Sequence, residues 1–325
     1  MNNYIVRKIV SSRNNKYKYK FYDKKNKEIK NKVIINDALK DIYIPPAYDN
    51  LKINLCKKSK VLAIGYDNKS RPQYIYNKRF KEKQSIKKYN HMYDFGLKFK
   101  KINKSINDDL YSFNDSKEKQ IAIILKLIMD CNFRVGNEKY KKENKSFGVT
   151  TLQKKHIKIK KDNIIIDFNG KKNVRNTCKV NNKRIIRTLK QKKKSLKDSD
   201  SLFTYRVGSK YYKIKSSDVN DYLKQFGDFT AKNFRTWGAN IEFIKSIVKH
   251  SKSLSECNEK NVKKIINESI KDVSEKLHNT TGVCKSNYLD PELIKYYEET
   301  PTKFISHFSD KNISDKYVDF LESLI

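Results

Sequence analysis

The residues of this chain best suited to covalent chemistry lie near its end, in the stretch KLHNTTGVCKSNYLDP at 276–291, which puts His278 and Tyr288 close together. A tyrosine hydroxyl attacks well only when it is held in line with an electrophile and surrounded by positive charge. The electrophile that suits this chain is a phosphodiester, because 73 Lys+Arg against 36 Asp+Glu leave a formal net charge of +37. Such an excess points to a polyanionic partner, nucleic acid or an anionic membrane surface. Tyr288 is therefore a candidate attacker of DNA, and the cations it needs must come from elsewhere in the chain.

Arginine is scarce here, and its planar fork grips phosphate in a way that lysine's point charge does not. Arg134 lies in FRVGNEKY at 133–140, directly after an apolar helix whose end would hold a phosphate grip rigidly, and Tyr140 is on the same stretch. Arg235 lies in TAKNFRTWGAN at 230–240, between Phe234 and Trp237, with Lys232 one turn before it. Lys171 follows Gly170 at the tip of a predicted hairpin. A lysine there can approach a leaving oxygen and donate a proton, provided its surroundings lower its pKa. Each residue also has a plainer reading. Taken alone, Arg134 reads more readily as a solvated residue at a helix terminus, and Arg235 equally as a structural arginine stacked on the only tryptophan. Lys171 reads as an ordinary turn lysine, and His278 as a complement to a helix dipole. The other histidines, at 91, 156, 250 and 307, form no ligand spacing.

These residues need a frame. A length of 325 residues suggests two domains on a prior of roughly 150 residues each. Residues 1–80 carry β-rich or alternating runs at 4–10, 17–22, 51–55, 61–66 and 73–76, with a turn signal at Asp67-Asn68. A short helix is expected over 36–42, before Pro45-Pro46. The charged stretch 77–90 contains the expected linker, 81–90, and from about 91 the period becomes helical. Ile121, Ile124, Leu125, Ile128 and Met129 mark one amphipathic helix. Between 147 and 190 strands return: Ile157 and Ile159 alternate, as do Ile164, Ile166 and Phe168, with Asn169-Gly170 as a hairpin signal. Further strands are expected near 174–180 and 184–189, joined at Asn181-Asn182, and helices near 217–226, 229–250, 259–277, 290–298 and 313–324. The fold class is α+β: a small antiparallel β domain at 1–80, then a mostly helical domain at 91–325 carrying a small sheet.

Several chemistries are disfavoured. No apolar run approaches the ~20 residues of a membrane span, and no signal peptide opens the chain. Five cysteines without a CxxC pair fit neither a disulfide framework nor a zinc site, which favours a reducing, intracellular location. Nine glycines build no Walker loop. Asp108-Asp109 reads as a helix-start pair rather than a metal site, and neither GxSxG nor HExxH occurs.

In order and spacing these segments resemble the small type IB DNA topoisomerases of poxviruses, large DNA viruses and bacteria. The resemblance rests on IPPAY at 44–48, GYDNKSRPQYIY at 65–76 and NFRVGNEKYKKENKSFGVTTLQKKHI at 132–157. FNGKKN at 168–173, FRTWGAN at 234–240 and the block from His278 to Tyr288 complete it. It implies Tyr288 as nucleophile, Arg134 and Arg235 as phosphate-binding arginines and His278 as a phosphate-contacting histidine. It further implies Lys171 as general acid, Lys232 as an assisting acid, and DNA contacts at Arg71, Tyr74, Tyr76 and Tyr140. The implied protein is a monomer closing on duplex DNA as a C-shaped clamp. It would relax supercoils without ATP, cofactor or essential metal, in the cell interior, and in the virion or host cytoplasm if viral. Two departures stand out. The segment from His278 to Cys284 is one residue longer than the usual viral and bacterial pattern, and KSNYLDP looks more like the large eukaryotic enzymes. A site-specific tyrosine recombinase would share the same constellation but usually begins with a helical domain. A non-catalytic DNA-binding protein would explain the charge alone.

Overall fold

The computed structural model describes residues 3–14, 16–67, 70–113, 115–160, 163–252, 258–309 and 312–325. They form two compact units, Met1–Lys88 and Tyr89–Ile325. The class is α+β.

In the first unit five antiparallel strands form one sheet: β1 (Tyr4–Arg13), β2 (Lys16–Tyr22), β3 (Asp49–Asn54), β4 (Val61–Tyr66) and β5 (Pro72–Tyr76), ordered β2-β1-β3-β4-β5. Alternation places Ile5, Leu51, Ile53 and Ala63 on the buried face. Helix α1 spans Lys32–Leu39, earlier than the expected 36–42, because the Asn31 side chain caps it by accepting from the Val33 N–H at 2.9 Å. The buried Arg7 donates to the carbonyls of Tyr48 (2.8 Å) and Pro45 (3.3 Å), which ties the IPPAY segment down on the sheet. Of the expected Asp67-Asn68 turn, Asn68 lies outside the described residues.

The stretch expected as a linker is helical. It belongs to α2 (Lys78–Tyr111), whose buried residues Tyr89, Met92, Phe95, Gly96, Ile102, Ile106 and Leu110 recur at helical spacing. Asp108 and Asp109 fall in the last turn of α2, so they do not start a helix; Asp109 accepts the Tyr222 hydroxyl at 2.5 Å.

In the second unit α3 (Lys117–Cys131) is buried on nearly every face and is capped by Ser116. After α4 (Glu138–Asn144) come three antiparallel strands, β6 (Ile157–Ile159), β7 (Ile164–Asn169) and β8 (Arg175–Val180). The strand expected at 184–189 is instead part of α5 (Lys183–Ser195). Asn182 accepts from the N–H groups of Arg184 and Ile185, and Ile185, Ile186, Thr188 and Leu189 bury one helical face. A hairpin follows, β9 (Thr204–Val207) and β10 (Lys210–Lys213), turning at Gly208 with φ +58°. The remaining helices are α6 (Ser216–Lys224), α7 (Ala231–Ser251), α8 (Glu259–Leu277), α9 (Thr281–Asn287), α10 (Pro291–Glu299), α11 (Pro301–Phe308) and α12 (Ile313–Glu322).

Helices α2 and α7 touch where a Cβ on Gly96 would lie 2.9 Å from the Trp237 ring, so no larger residue fits without displacing the indole. Trp237 packs on Phe95, Phe99 and Tyr317, and truncating such a side chain to alanine costs about 3–5 kcal/mol. A disulfide joins Cys131, at the end of α3, to Cys178 on β8, which corrects the reading that no cysteines pair. Sequence spacing could not show it, since 47 positions separate the two and only the packing of β8 on α3 makes them neighbours. No described helix is long and apolar enough to cross a membrane.

Candidate active site

Helix α3 ends at Asn132 in the left-handed conformation (φ 53°), and the chain turns into FRVG. Phe133 anchors this turn in the core, edge-on to Phe168 at 4.9 Å. The backbone beyond it is clamped against residues 148–150. The Val149 N–H donates to the Arg134 carbonyl at 2.9 Å, and the Thr150 N–H to that of Val135 at 2.7 Å. Two glycines make the approach possible: a Cβ on Gly148 would lie 2.5 Å from the Gly136 Cα, and Gly136 itself has φ +101°. Arg134 thus springs from a braced loop, and its Nη2 donates to Asn279 Oδ1 at 2.6 Å.

Arg235 is carried by a different element, α7, with 3% of its surface exposed. Its Nη2 donates to the Leu277 carbonyl at 3.1 Å, one of the last carbonyls of α8, which have no partner within the helix. Its Nε and Nη1 make no hydrogen bond of good geometry among the described residues. The guanidinium carbon lies over the Tyr288 ring, 5.4 Å from the centroid. The stacking partner of Arg235 is therefore the tyrosine and not Trp237, which faces the core.

The segment carrying Tyr288 is held by its main chain. Tyr288 ends α9, with its N–H on the Cys284 carbonyl at 3.0 Å, and is 8% exposed. Asn240 of α7 donates to the Tyr288 carbonyl at 3.0 Å and accepts the Asp290 N–H at 2.8 Å. Because Asn240 and Arg235 share one helix, the tyrosine's backbone and the guanidinium are fixed to the same rigid element. His278 caps α8 in the left-handed conformation, and its ring stacks on Phe133 at 5.8 Å.

The electrostatics follow from this crowding of cations. Burial pushes the Tyr288 phenol up, but the adjoining Arg235, supported by Arg134 and Lys232, outweighs it and brings the pKa below the ordinary tyrosine value. Burial, then Arg235 and Arg134, lowers the His278 imidazole and keeps it neutral near pH 7. Burial raises the Cys284 thiol to about 11, which leaves it a poor nucleophile beside the tyrosine. An acidified phenol beside a buried guanidinium with unfilled donors suits attack on an anion, because those donors can hold oxygens on which charge develops.

A profile of the family described as "Eukaryotic DNA topoisomerase I, catalytic core" matches residues 77–307. The DNA topoisomerase 1B of Acanthamoeba polyphaga mimivirus is 32% identical over 314 residues, covering 94% of this chain and 90% of that protein. The chain belongs to the type IB DNA topoisomerase family. The DNA topoisomerase 1B of vaccinia virus (strain Copenhagen) is 27% identical over 242 residues, 74% of each chain. The DNA topoisomerase 1 of Daucus carota is 32% identical over 134 residues, 40% of this chain and 16% of that much longer protein.

Within this topoisomerase Arg134, Arg235, Lys232, His278 and Tyr288 come together electrostatically. Lys171 does not join them in the structure: it is exposed at the turn Lys171–Asn173 between β7 and β8, where Lys172 and Asn173 are left-handed (φ 61° and 59°). Tyr140 is 58% exposed on α4. Arg71, Tyr74 and Tyr76 belong to the first unit. There Arg71 grips Asp67 through Nε and Nη2 (2.8 and 2.6 Å), and the Tyr74 and Tyr76 rings stack on one face of β5, 6.1 Å apart. Sequence reasoning missed Asn279 and Asn240. Asn279 directly follows His278, and it is the side chain that meets Arg134. Its place beside a candidate phosphate contact was the one signal that could have drawn attention to it.

Proposed function

We propose that the topoisomerase cleaves one strand of duplex DNA by attack of the Tyr288 hydroxyl on a phosphodiester. The attack forms a 3′-phosphotyrosyl bond, breaks the bond to the 5′-oxygen and releases a 5′-hydroxyl. The observation that carries this reading is the buried Tyr288 phenol under Arg235, whose Nε and Nη1 still have donors to offer. Arg235 and Arg134 hold the non-bridging oxygens, and neutral His278 and the Asn279 amide add N–H donors beside them. The phenol proton passes to water, and Lys171, with Lys232 assisting, protonates the departing 5′-oxygen. Phosphoryl transfer asks of the protein mainly position and charge, both of which these residues supply, so the reading calls for no cofactor or metal. The energy of the phosphodiester is kept in the phosphotyrosine, so rotation of the free strand and religation proceed without ATP.

The first unit contributes DNA contacts through Arg71, Tyr74 and Tyr76, and Tyr140 adds one in the second. A monomer closing on the duplex inside the cell, in virion or host cytoplasm if viral, completes the reading. With so large a positive charge, DNA affinity falls steeply as salt rises.

The test is relaxation of supercoiled plasmid in EDTA without ATP, followed by denaturant trapping and mapping of the adduct. Tyr288→Phe is expected to bind duplex normally while losing adduct and relaxation together. Relaxation by Tyr288→Phe, or an adduct on another residue, overturns the assignment.

A further inference from the structure

We propose that Tyr89 is a positioning residue for the nucleophile, holding the main chain of Tyr288 and Leu289 from behind so that the Tyr288 oxygen stays beside Arg235. This role rests on Tyr288 being the nucleophile.

Residues 288–290 lie at a junction between two helices. Tyr288, at φ −122° and ψ −39°, ends α9, and Asp290 opens α10 by accepting from the Glu292 N–H at 3.0 Å. Helical hydrogen bonding therefore does not by itself fix the direction in which Tyr288 points. Among the described residues, two side chains stand out as gripping the main chain of this junction. One is Asn240, already described. The other is Tyr89 on α2, whose hydroxyl donates to the Leu289 carbonyl and lies 3.3 Å from the Tyr288 carbonyl. Tyr89 is buried, 7% exposed. Burial, reinforced by the charge of Asp290, raises its phenol far above the ordinary value, so it remains a proton donor throughout the working pH range. Asn240 ties the junction to the helix that bears Arg235, while Tyr89 ties it to α2, and together they leave the segment little freedom. The pocket in front of it is crowded with charge: Arg235 and Lys232 from α7, Arg134 from the loop after α3, with His278 at the end of α8 and Cys284 on α9. A small swing of the phenol away from Arg235 therefore changes both its reach and its acidity.

The experiment is single-turnover cleavage of a duplex substrate by the full chain carrying Tyr89→Phe, measured against pH. Cleavage is expected to slow about 10–100-fold, as for a nucleophile displaced by a fraction of an ångström to an ångström. Duplex binding and melting temperature should stay near wild type. The rising limb of the pH–rate profile should move to higher pH, because the phenol loses part of its contact with Arg235; a purely structural defect would not move it. The slowing should persist with a 5′-sulfur leaving group, which separates it from loss of general acid. Replacing Tyr89 by 4-aminophenylalanine keeps an N–H donor in place and should restore most of the rate. If Tyr89→Phe melts below the assay temperature, the comparison is made at a lower temperature at which it is folded, and a wild-type rate and pH profile there overturns the proposal. Tyr317→Phe is the control, since the Tyr317 hydroxyl is buried without a hydrogen-bond partner among the described residues, and its ring packs on Trp237 and Phe320. A wild-type rate and pH profile for Tyr89→Phe sinks the proposal. An adduct still formed by Tyr288→Phe would instead show that the nucleophile was misassigned.

Discussion

Replacing Arg235 by alanine should separate the stability of this protein from its chemistry. The guanidinium is 3% exposed, yet among the described residues its one hydrogen bond of good geometry goes to the Leu277 carbonyl at 3.1 Å. Burying a charge costs several kcal/mol, and a single bond to a carbonyl returns about 1.5–3 kcal/mol of it. Loss of the side chain should therefore leave the folded state within about 2 kcal/mol of wild type in either direction. The chemistry should respond far more strongly. Removing a donor aimed at developing negative charge costs about 10²–10³ in rate, or about 2.7–4 kcal/mol. The same substitution removes the largest influence lowering the Tyr288 pKa, so the rising limb of the cleavage profile should move to higher pH. Arg235→Lys keeps the charge, but a single ammonium cannot fork between the Leu277 carbonyl and a phosphate oxygen, so it should recover only part of the rate. The assay is single-turnover adduct formation at saturating enzyme from neutral to alkaline pH, with thermal melting alongside. An Arg235→Ala protein that cleaves within a few-fold of wild type, with its pH profile unmoved, would refute the reasoning.

Gly148→Ala tests the braced loop from a distance. The added Cβ would meet the Gly136 Cα and N at 2.5 Å and the Arg134 carbonyl at 2.7 Å, all backbone atoms that cannot step aside. Adduct formation should drop about 10–100-fold through displacement of Arg134, with duplex binding kept, and a wild-type cleavage rate would refute this. His156 tests acid stability. Its ring packs on Phe147 at 4.4 Å and its Nδ1 accepts the Gln153 N–H, and burial, then Lys155 and Lys141, lowers its pKa from 6.5 to about 4. The unfolded chain binds the proton first, so this contribution is whole above pH 6.5 and is lost as pH falls toward 4, by about 3 kcal/mol at most. Melting curves of wild type and His156→Gln should converge across that window, and a constant difference between them would show that the histidine does not titrate this way.

Local patterns are legible in the order of the amino acids alone. Alternation in the first 80 residues marks strands, and recurrence every three or four residues marks α3, α7 and α8, because a buried face is written in the spacing of its apolar residues. Where the code fails, the cause is physical. Residues 184–189 carry the β-branched pair Ile185 and Ile186, yet the Asn182 cap and one apolar face make them helical. All four residues of β10 are exposed, so its hairpin leaves no alternation to read. The reactive types, Tyr288, Arg134, Arg235, Lys232, Lys171 and His278, could be named from sequence and ordered by resemblance. Which of them are neighbours could not. Asn279 meets Arg134 across 145 positions, Asn240 meets the Tyr288 carbonyl across 48, and Tyr89 meets Leu289 across 200. Such residues act on another segment's side chain or main chain, and an amide or phenol bears no mark of the partner it will find. The sequence by itself determined the family, the class of fold and the supply of cations and hydroxyls. Only tertiary packing decided which guanidinium lies over which phenol, because that depends on where α3, α7 and α8 end in space.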